Sequence, residues 1–539
     1  MSELKAPNVA KAGAIMMISL LLSRVLGLIR ESIATGQFGV SAETDAYVLS
    51  FQIPDLLFFL VAGGALSAAF IPIFTEYLHT KGEEEAWELF SNVATIMTVF
   101  VTGLILTAWV AAPQITSLIA PTKSPEVQAM VTYMSRIVLP SQLAFFIGGL
   151  MMGTLYARQI FTVPGLGPNI YNIGIITGAL VVSQFVTPSV SGMSWGALVG
   201  AFIGNIFVPL LAIRALGARY RFTMNFRHEG VRRVFKLMAP VVLGLSLPGV
   251  FGILLQYFGG FFSDGVNTAL NLSNRLMQAP LAIFGQSLAI GVFPALAQFY
   301  ATQRMDMFRD QLGRTLRLTL FLATPFATIM VVAPADIIRL MYEHGEFTAE
   351  NTALTAPVLA AFALGIAAWC VQPVIMRAYF ALQRPVPPII MGTIATAIFL
   401  GVSYGVVSSK GNYTLLPLAG SAAAIALAII LIIMIRRDVD GLDIGGLIKT
   451  FALSVLASFG AAGVFWCGMR GLDFIGFTRN KIGVIVGCLV FGFLAAGIYY
   501  LLSRALKMPE SDYLDRALNK RKGGGSGPSN PPPATPAAE

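Results

Sequence analysis

Three arginines lie deep inside apolar stretches of the sequence, where a charged side chain is energetically unfavourable. Arg24 and Arg30 stand in the run SRVLGLIRES, and Arg275 stands in NLSNRLMQAP. A charge at the centre of a bilayer costs at least about 2.5–3.5 kcal/mol on insertion scales, so it requires a partner, a cavity or a function. One guanidinium group can donate hydrogen bonds to two oxygens of a phosphate or carboxylate at once. The three arginines therefore predict a central cavity for an anionic group, and pyrophosphate has a charge that would justify several of them.

The spacing in the first run predicts a cationic helix face. At about 100° per residue, Arg24, Gly27 and Arg30 fall within one arc of about 120°, with the glycine as a notch between the arginines. We therefore treat the two arginines as candidate substrate-binding residues, together with Arg275.

Few acids are available as counter-ions in these stretches, namely Glu31, Asp45 and Asp55. One interpretation is that they neutralise the arginines in fixed ion pairs. The interpretation we favour is a cavity that receives an anionic substrate, with Glu31 and Asp45 as gating residues or charge partners. Pro54 interrupts the helix ladder in the same region and allows a bend, so it is a secondary candidate.

The composition excludes several classes of protein. Of the 539 residues, 56% are hydrophobic and 12% are charged, against about 25% charged in an average soluble domain. A soluble enzyme, a disordered chain and a nucleic-acid binder are all excluded, and the net charge of +9 is better explained by orientation in a membrane. No Walker A motif is present, and we predict no catalytic residue, no metal site and no cofactor.

The apolar runs predict an all-α polytopic membrane protein. A spanning helix needs about 20 apolar residues. Fourteen runs satisfy this, and their limits are 10–36, 46–78, 88–111, 129–155, 166–186, 194–215, 234–259, 266–300, 313–333, 352–380, 386–408, 414–435, 448–468 and 482–504. With the N-terminus inside, the inner segments hold 26 of the 36 basic residues and the outer ones six. This asymmetry predicts that both termini lie on the cytoplasmic side.

An internal repeat organises the first twelve spans. Pro72 and Pro294 match at an offset of 222 residues, and Tyr156 and Tyr379 match at 223. Because each unit holds an even number of spans, the repeat is parallel, and transporters commonly bind substrate between two such halves. The predicted domains are a lobe over 1–230, a lobe over 231–440, an accessory helix pair over 441–508 and a disordered cytoplasmic tail over 509–539.

Several of these motifs resemble a known family. They are SRVLGLIRESIATGQFG, TDAYVLSFQIPDLL and GALSAAFIPIFTEY in the first two spans, NRLMQAP and FPALAQF in the eighth, and MYEHGEFT after the ninth. Together they resemble the MurJ (MviN) lipid II flippases of the multidrug/oligosaccharidyl-lipid/polysaccharide exporter superfamily. The resemblance runs through the last span and leaves out the tail.

The resemblance implies a function in building the bacterial cell wall. It implies export of lipid II, the undecaprenyl-pyrophosphate-linked peptidoglycan precursor, across the cytoplasmic membrane by alternating access. It also implies a cationic head-group cavity, a groove for the lipid tail at spans thirteen and fourteen, and cell-wall synthesis proteins and membrane lipids as partners. Membrane potential or an ion gradient is the driving force to expect. The positions that match the family's site are Ser23, Arg24, Arg30, Asp45 and Arg275.

The sequence also departs from the family's pattern. Many members carry two arginines and a glutamate in the second span, where this chain has Phe58, Phe59 and Gly63. Gln52 replaces a frequent lysine, and Asn274 stands where an aspartate often precedes the arginine. Some members of the family bind sodium through acidic residues in spans seven and eleven. Neither span holds an acid here, so a sodium site is not expected. Two alternatives therefore stay open: an exporter of another lipid-linked saccharide, and a non-transporting scaffold of the same fold.

Overall fold

A computed structural model describes residues 9–60 and 65–512. Within them every regular element is helical, as predicted for an all-α polytopic membrane protein. Among the described residues, ten helices are long and apolar enough to cross a membrane. The bent pair Ala349–Ala363 and Ile366–Ala381, whose axes differ by 44°, adds an eleventh by length and composition. These eleven coincide with eleven of the fourteen predicted spans.

The other three predicted spans, 10–36, 46–78 and 234–259, are also helical where the structure describes them, and the middle one is divided into pieces. In the first half of the chain the helices are α1 (Val9–Phe38), α2 (Ala42–Ser50), α3 (Gln52–Leu60), α4 (Ala65–Thr80), α5 (Glu83–Ile119), α6 (Pro125–Val138), α7 (Ser141–Ala157), α8 (Thr162–Leu180), α9 (Ser191–Phe202) and α10 (Val208–Ala215). A large apolar core joins them, built mainly from α2, α4, α5, α6 and α7.

The break between α2 and α3 lies at Phe51, three residues before Pro54. Pro54 therefore occupies the first turn of α3, where its missing N–H would have no intrahelical partner anyway. The hydroxyl of Ser135 in α6 donates to the carbonyl of Ser50 at 2.9 Å, which satisfies a backbone oxygen at the end of α2. Gln52 and Asp55, in the first turn of α3 after this break, line the polar cavity described below.

The second half of the chain is helical as well. Its helices are α11 (Glu229–Gly259), α12 (Val266–Pro280), α13 (Ser287–Ala301), α14 (Met305–Val332), α15 (Pro334–Met341), α16 (Ala349–Ala363), α17 (Ile366–Ala381), α18 (Val386–Ser408) and α19 (Leu415–Asp438). The predicted eighth span is interrupted by a π-helical turn at Leu281–Gln286, just after Pro280. Gly285 in this turn lies against the backbone of Cys370, and an added Cβ would come within 2.9 Å of it. The turn thus lets two helices approach closely.

Of the last two helices, α20 (Ile444–Phe474) packs against α14, and α21 (Lys481–Ala505) packs against α20. The Tyr499 hydroxyl donates to the carbonyl of Phe321 at 2.7 Å and fixes α21 to α14. The predicted tail begins at residue 509, but Glu510 is 3% exposed and accepts a hydrogen bond from Thr450 at 3.0 Å. Glu510 and Ser511 are thus buried rather than part of a disordered tail, and the predicted tail beyond residue 512 lies outside the described residues.

Candidate substrate site

A polar cavity of about 460 Å³ lies between the two halves of the chain. Helices α1, α2, α3 and α8 line it from the first half, and α11 and α12 line it from the second. The titratable or amide side chains in its wall are Arg30, Glu31, Tyr47, Gln52, Asp55, Tyr171, Gln256, Asn271, Asn274 and Arg275. Because both halves contribute walls, a movement of one half against the other must change this cavity.

One carboxylate links the two arginines of the cavity. The guanidinium of Arg30 lies 2.5 Å from Oε1 of Glu31, and Nε of Arg275 lies 3.0 Å from the same oxygen. Arg30 is 8% exposed and also donates to Oδ1 of Asn172 at 2.9 Å. Arg275 is more open and donates to Oδ1 of Asn271 at 2.8 Å. The two halves therefore meet at Glu31 through charge-assisted bonds.

Arg24 does not join the other two arginines. It is exposed and is absent from the lining of this cavity. Arg24 and Arg30 stand at opposite edges of the predicted face, about 9 Å apart along the axis, and α1 is oriented so that only the Arg30 edge reaches the cavity. Ser23 lies behind the site, where its carbonyl and hydroxyl accept hydrogen bonds from Nδ2 of Asn172 at 3.2 and 3.3 Å. Ser23 thus supports Asn172, which in turn holds Arg30.

The lining is balanced in formal charge, whereas the sequence predicted a cationic cavity. Arg30 and Arg275 contribute two positive charges, and Glu31 and Asp55 contribute two negative ones. Asn274 lies in the wall beside Arg275. The structure therefore brings only two of the three predicted arginines, Arg30 and Arg275, to this cavity, and both contact Glu31.

Of the second-span residues that depart from the family's pattern, Gln52 and Phe58 are described. Gln52 lies in the cavity wall and is largely buried. Phe58 packs against Phe146 with ring centroids 6.1 Å apart, so an apolar contact within the first half replaces the charge expected there. The side chain of Phe59, and Gly63 as a whole, lie outside the described residues.

Asp45 joins the two halves at another place. Its Oδ1 accepts hydrogen bonds from the backbone N–H and the hydroxyl of Thr268, both at 2.8 Å, and its Oδ2 accepts from the N–H of Gly265 at 2.8 Å. It thereby caps the N-terminus of α12, where a negative charge is favourable. Lys123 lies 2.9 Å from Asp45 and 2.9 Å from Asp264.

Sequence reasoning missed Lys123. It stands in the loop between α5 and α6, among Thr122, Ser124 and Pro125, and there it reads as a solvated outer lysine. In the structure it is 5% exposed, with its ammonium group between carboxylates from the two halves. No local signal marks it, because both carboxylates are distant in sequence.

The end of α1 makes a third connection between the halves. Ser32 donates its hydroxyl to the carbonyl of Met341 at 2.7 Å, and the N–H of Glu346 donates to the carbonyl of Gly36 at 2.8 Å. Gly345 adopts φ of 59°, a conformation that favours glycine, and its Cα approaches Gly36 too closely for a side chain. The motif MYEHGEFT thus forms a turn that holds the end of α1.

The fold and a polar site enclosed between two halves define a multi-pass membrane transporter. A multidrug resistance MATE family transporter of the MOP superfamily, solved in an inward-facing conformation, superimposes with a TM-score of 0.65 at 12% identity, covering 81% of this chain and 99% of that one. A lipid II flippase MurJ in an inward closed conformation superimposes with a TM-score of 0.75 at 24% identity, covering 92% and 99%.

Sequence comparison narrows the class. The lipid II flippase MurJ of Burkholderia cenocepacia is 25% identical over 504 residues, which cover 89% of this chain and 94% of that protein. Residues 34–491 match the family model described as Lipid II flippase MurJ. The chain therefore belongs to the lipid II flippase MurJ family. This confirms the resemblance stated from the motifs, and with it the prediction of a transporter rather than an enzyme.

Proposed function

We propose that this chain moves lipid II from the inner to the outer leaflet of the bacterial cytoplasmic membrane, with its head group in the cavity between the two halves. One observation carries this assignment of the site: Arg30 from the first half and Arg275 from the second meet at one carboxylate oxygen inside a shared cavity. A pyrophosphate offers several oxygens to two guanidinium groups at once. The family to which the chain belongs supports the choice of substrate.

Glu31 gives the site a way to bind and to release. In the present structure its carboxylate forms ion pairs with the guanidinium groups of both Arg30 and Arg275. An incoming pyrophosphate replaces this carboxylate, and the return of the carboxylate helps to expel the head group on the other side. A ligand can drive a conformational change only by the difference in its affinity for the two states. A competing acid keeps the affinity low enough for release.

The contacts of Asp45 and of the end of α1 close the cavity at one end. With the N-terminus in the cytoplasm, α1 runs outward, so these contacts lie on the outer side. Export then requires Lys123 and Thr268 to separate from Asp45, and Met341 from Ser32, as the lobes 1–230 and 231–440 rock against each other. Membrane potential or an ion gradient resets the cycle, and the helix pair over 441–508 accompanies the second lobe.

Complementation tests the proposal. The full chain is expressed in a bacterium depleted of its own lipid II flippase, and lipid II in the outer leaflet is measured directly. Rescue, with lipid II appearing outside, is the expected result. Failure to rescue despite normal membrane insertion contradicts the proposal and favours another lipid-linked saccharide or a scaffold role. Cell-wall synthesis proteins of the host are natural partners to seek in the same cells.

A further inference from the structure

The second half of the chain contains its own chamber, distinct from the polar cavity. It measures about 670 Å³ and lies among α11, α12, α17, α18 and α19. Phe251, Trp369 and Phe399 form an aromatic cluster on its wall, with the rings of Phe251 and Phe399 4.6 Å apart. No acidic or basic side chain is found among its lining residues. A chamber of this kind suits an apolar occupant.

The chamber adjoins the polar cavity. Gly252 and Asn274 line both of them. Asn274 directly precedes Arg275, whose guanidinium lies 3.0 Å from Glu31. A group that leaves the arginines in this direction therefore passes from charged walls to apolar walls within one helix turn of α12.

Small residues and a thinly packed helix shape the chamber. Gly392 and Ala395 of α18 line it, as do Gly420 and Ala423 of α19. Of the 23 residues of α18, Pro388, Phe399 and Ser403 are buried, so most of this helix faces outward. At Gly392 an added Cβ would meet no atom within 4 Å. Space for a chain thus exists just behind a membrane-facing helix.

We infer that this chamber receives the first isoprene units of a single polyprenyl chain whose pyrophosphate is held by Arg30 and Arg275. The inference rests on the proposed function and adds a subsite to it. Lipid is as apolar as the chamber, so little affinity is gained by moving the chain out of the membrane. The chamber instead orients the substrate, because a polyprenyl chain held beside Asn274 places its pyrophosphate at Arg30 and Arg275. This site lies away from spans thirteen and fourteen, where the resemblance leads one to expect the tail.

Two glycines of α18 offer a matched test. Phenylalanine at Gly392 fills the chamber, whereas phenylalanine at Gly401, which is exposed, lies outside it, and neither position has an atom within 4 Å of an added Cβ. We expect Gly392→Phe to slow lipid II flipping in proteoliposomes by about tenfold, and Gly401→Phe to stay within about twofold of the parent protein. Binding of inorganic pyrophosphate should be equal in all three proteins. Equal flipping by both variants overturns the inference.

A labelling experiment covers the case in which Gly392→Phe fails to fold. A photoreactive benzophenone side chain is placed at Ala395, in the chamber wall, or at Val402, on the exposed face of α18. Lipid II should be captured at 395 and much less at 402, in protein that still flips it. Equal capture at both positions overturns the inference while the proposed function stands. If the parent protein neither binds nor flips lipid II, the proposed function itself is overturned.

Discussion

Arg275 of the second half lies 3.0 Å from Glu31 of the first half, on the same carboxylate oxygen that Arg30 contacts. A single acid thus connects the two halves at the site where an anionic head group is proposed to bind. Its removal would leave two guanidinium groups facing one cavity, with Asp55 as the remaining acid among the lining residues. The exchange of Glu31 for pyrophosphate is therefore the step on which the mechanism depends.

Replacement of Glu31 by glutamine should separate binding from turnover. The amide keeps the size of the side chain but no longer competes as an anion, so the Kd for inorganic pyrophosphate should fall by about tenfold, or about 1.4 kcal/mol. Lipid II flipping should slow, because release becomes harder. Calorimetry and a proteoliposome assay measure the two effects. Glu43→Gln is the matched control, since Glu43 is exposed on α2 outside the cavity lining. An unchanged Kd in Glu31→Gln would argue against competition.

Lys123→Met should loosen the closed end of the cavity. Removing one member of a buried ion pair costs roughly 3–5 kcal/mol because the other charge is left uncompensated, and Asp45 is fully buried here. Spin labels at the exposed residues Glu126 and Glu350 report the distance between the halves. We expect the distance distribution to shift to longer values in Lys123→Met.

Asp264→Asn provides the comparison for that experiment. Asp264 is the second carboxylate at Lys123, but its side chain is 55% exposed, so its loss should matter far less. If Lys123→Met and Asp264→Asn give the same distances as the parent protein, Lys123 does not hold the two halves together.

The apolar runs and basic residues predicted most of the fold because membrane spans carry a strong local signal. The arrangement around the arginines was harder to predict. Helical spacing puts Arg24 and Arg30 about 120° apart, but it does not say which of them faces the centre, since that depends on how α1 rotates against α8. The pairing of Lys123 with Asp45 could not be predicted either. Loop lysines are usually solvated, and Asp45 is distant from Lys123 in sequence.

Glu510→Ala should destabilise the packing of the chain's last described residues. Glu510 accepts a hydrogen bond from Thr450 and lies 3.4 Å from Nε of Arg317, so its loss removes one of two acidic partners of this partly buried guanidinium, the other being Asp443. We expect a loss of about 1–3 kcal/mol, seen as a lower Tm of the purified protein. Asp512→Ala, at an exposed position nearby, should leave Tm unchanged. Equal Tm values for both variants would show that Glu510 adds no stability.

The most direct test of the account is the affinity of the purified protein for lipid II in nanodiscs, measured for Arg30→Ala, Arg275→Ala and Arg136→Ala. Arg136 stacks over the ring of Trp109 and is not among the cavity lining, which makes it the matched control. The account predicts a loss of about tenfold or more for each cavity arginine and a change within about twofold for the control. Parent-like affinity in both Arg30→Ala and Arg275→Ala, in folded protein, would contradict the claim that the two halves bind the pyrophosphate together.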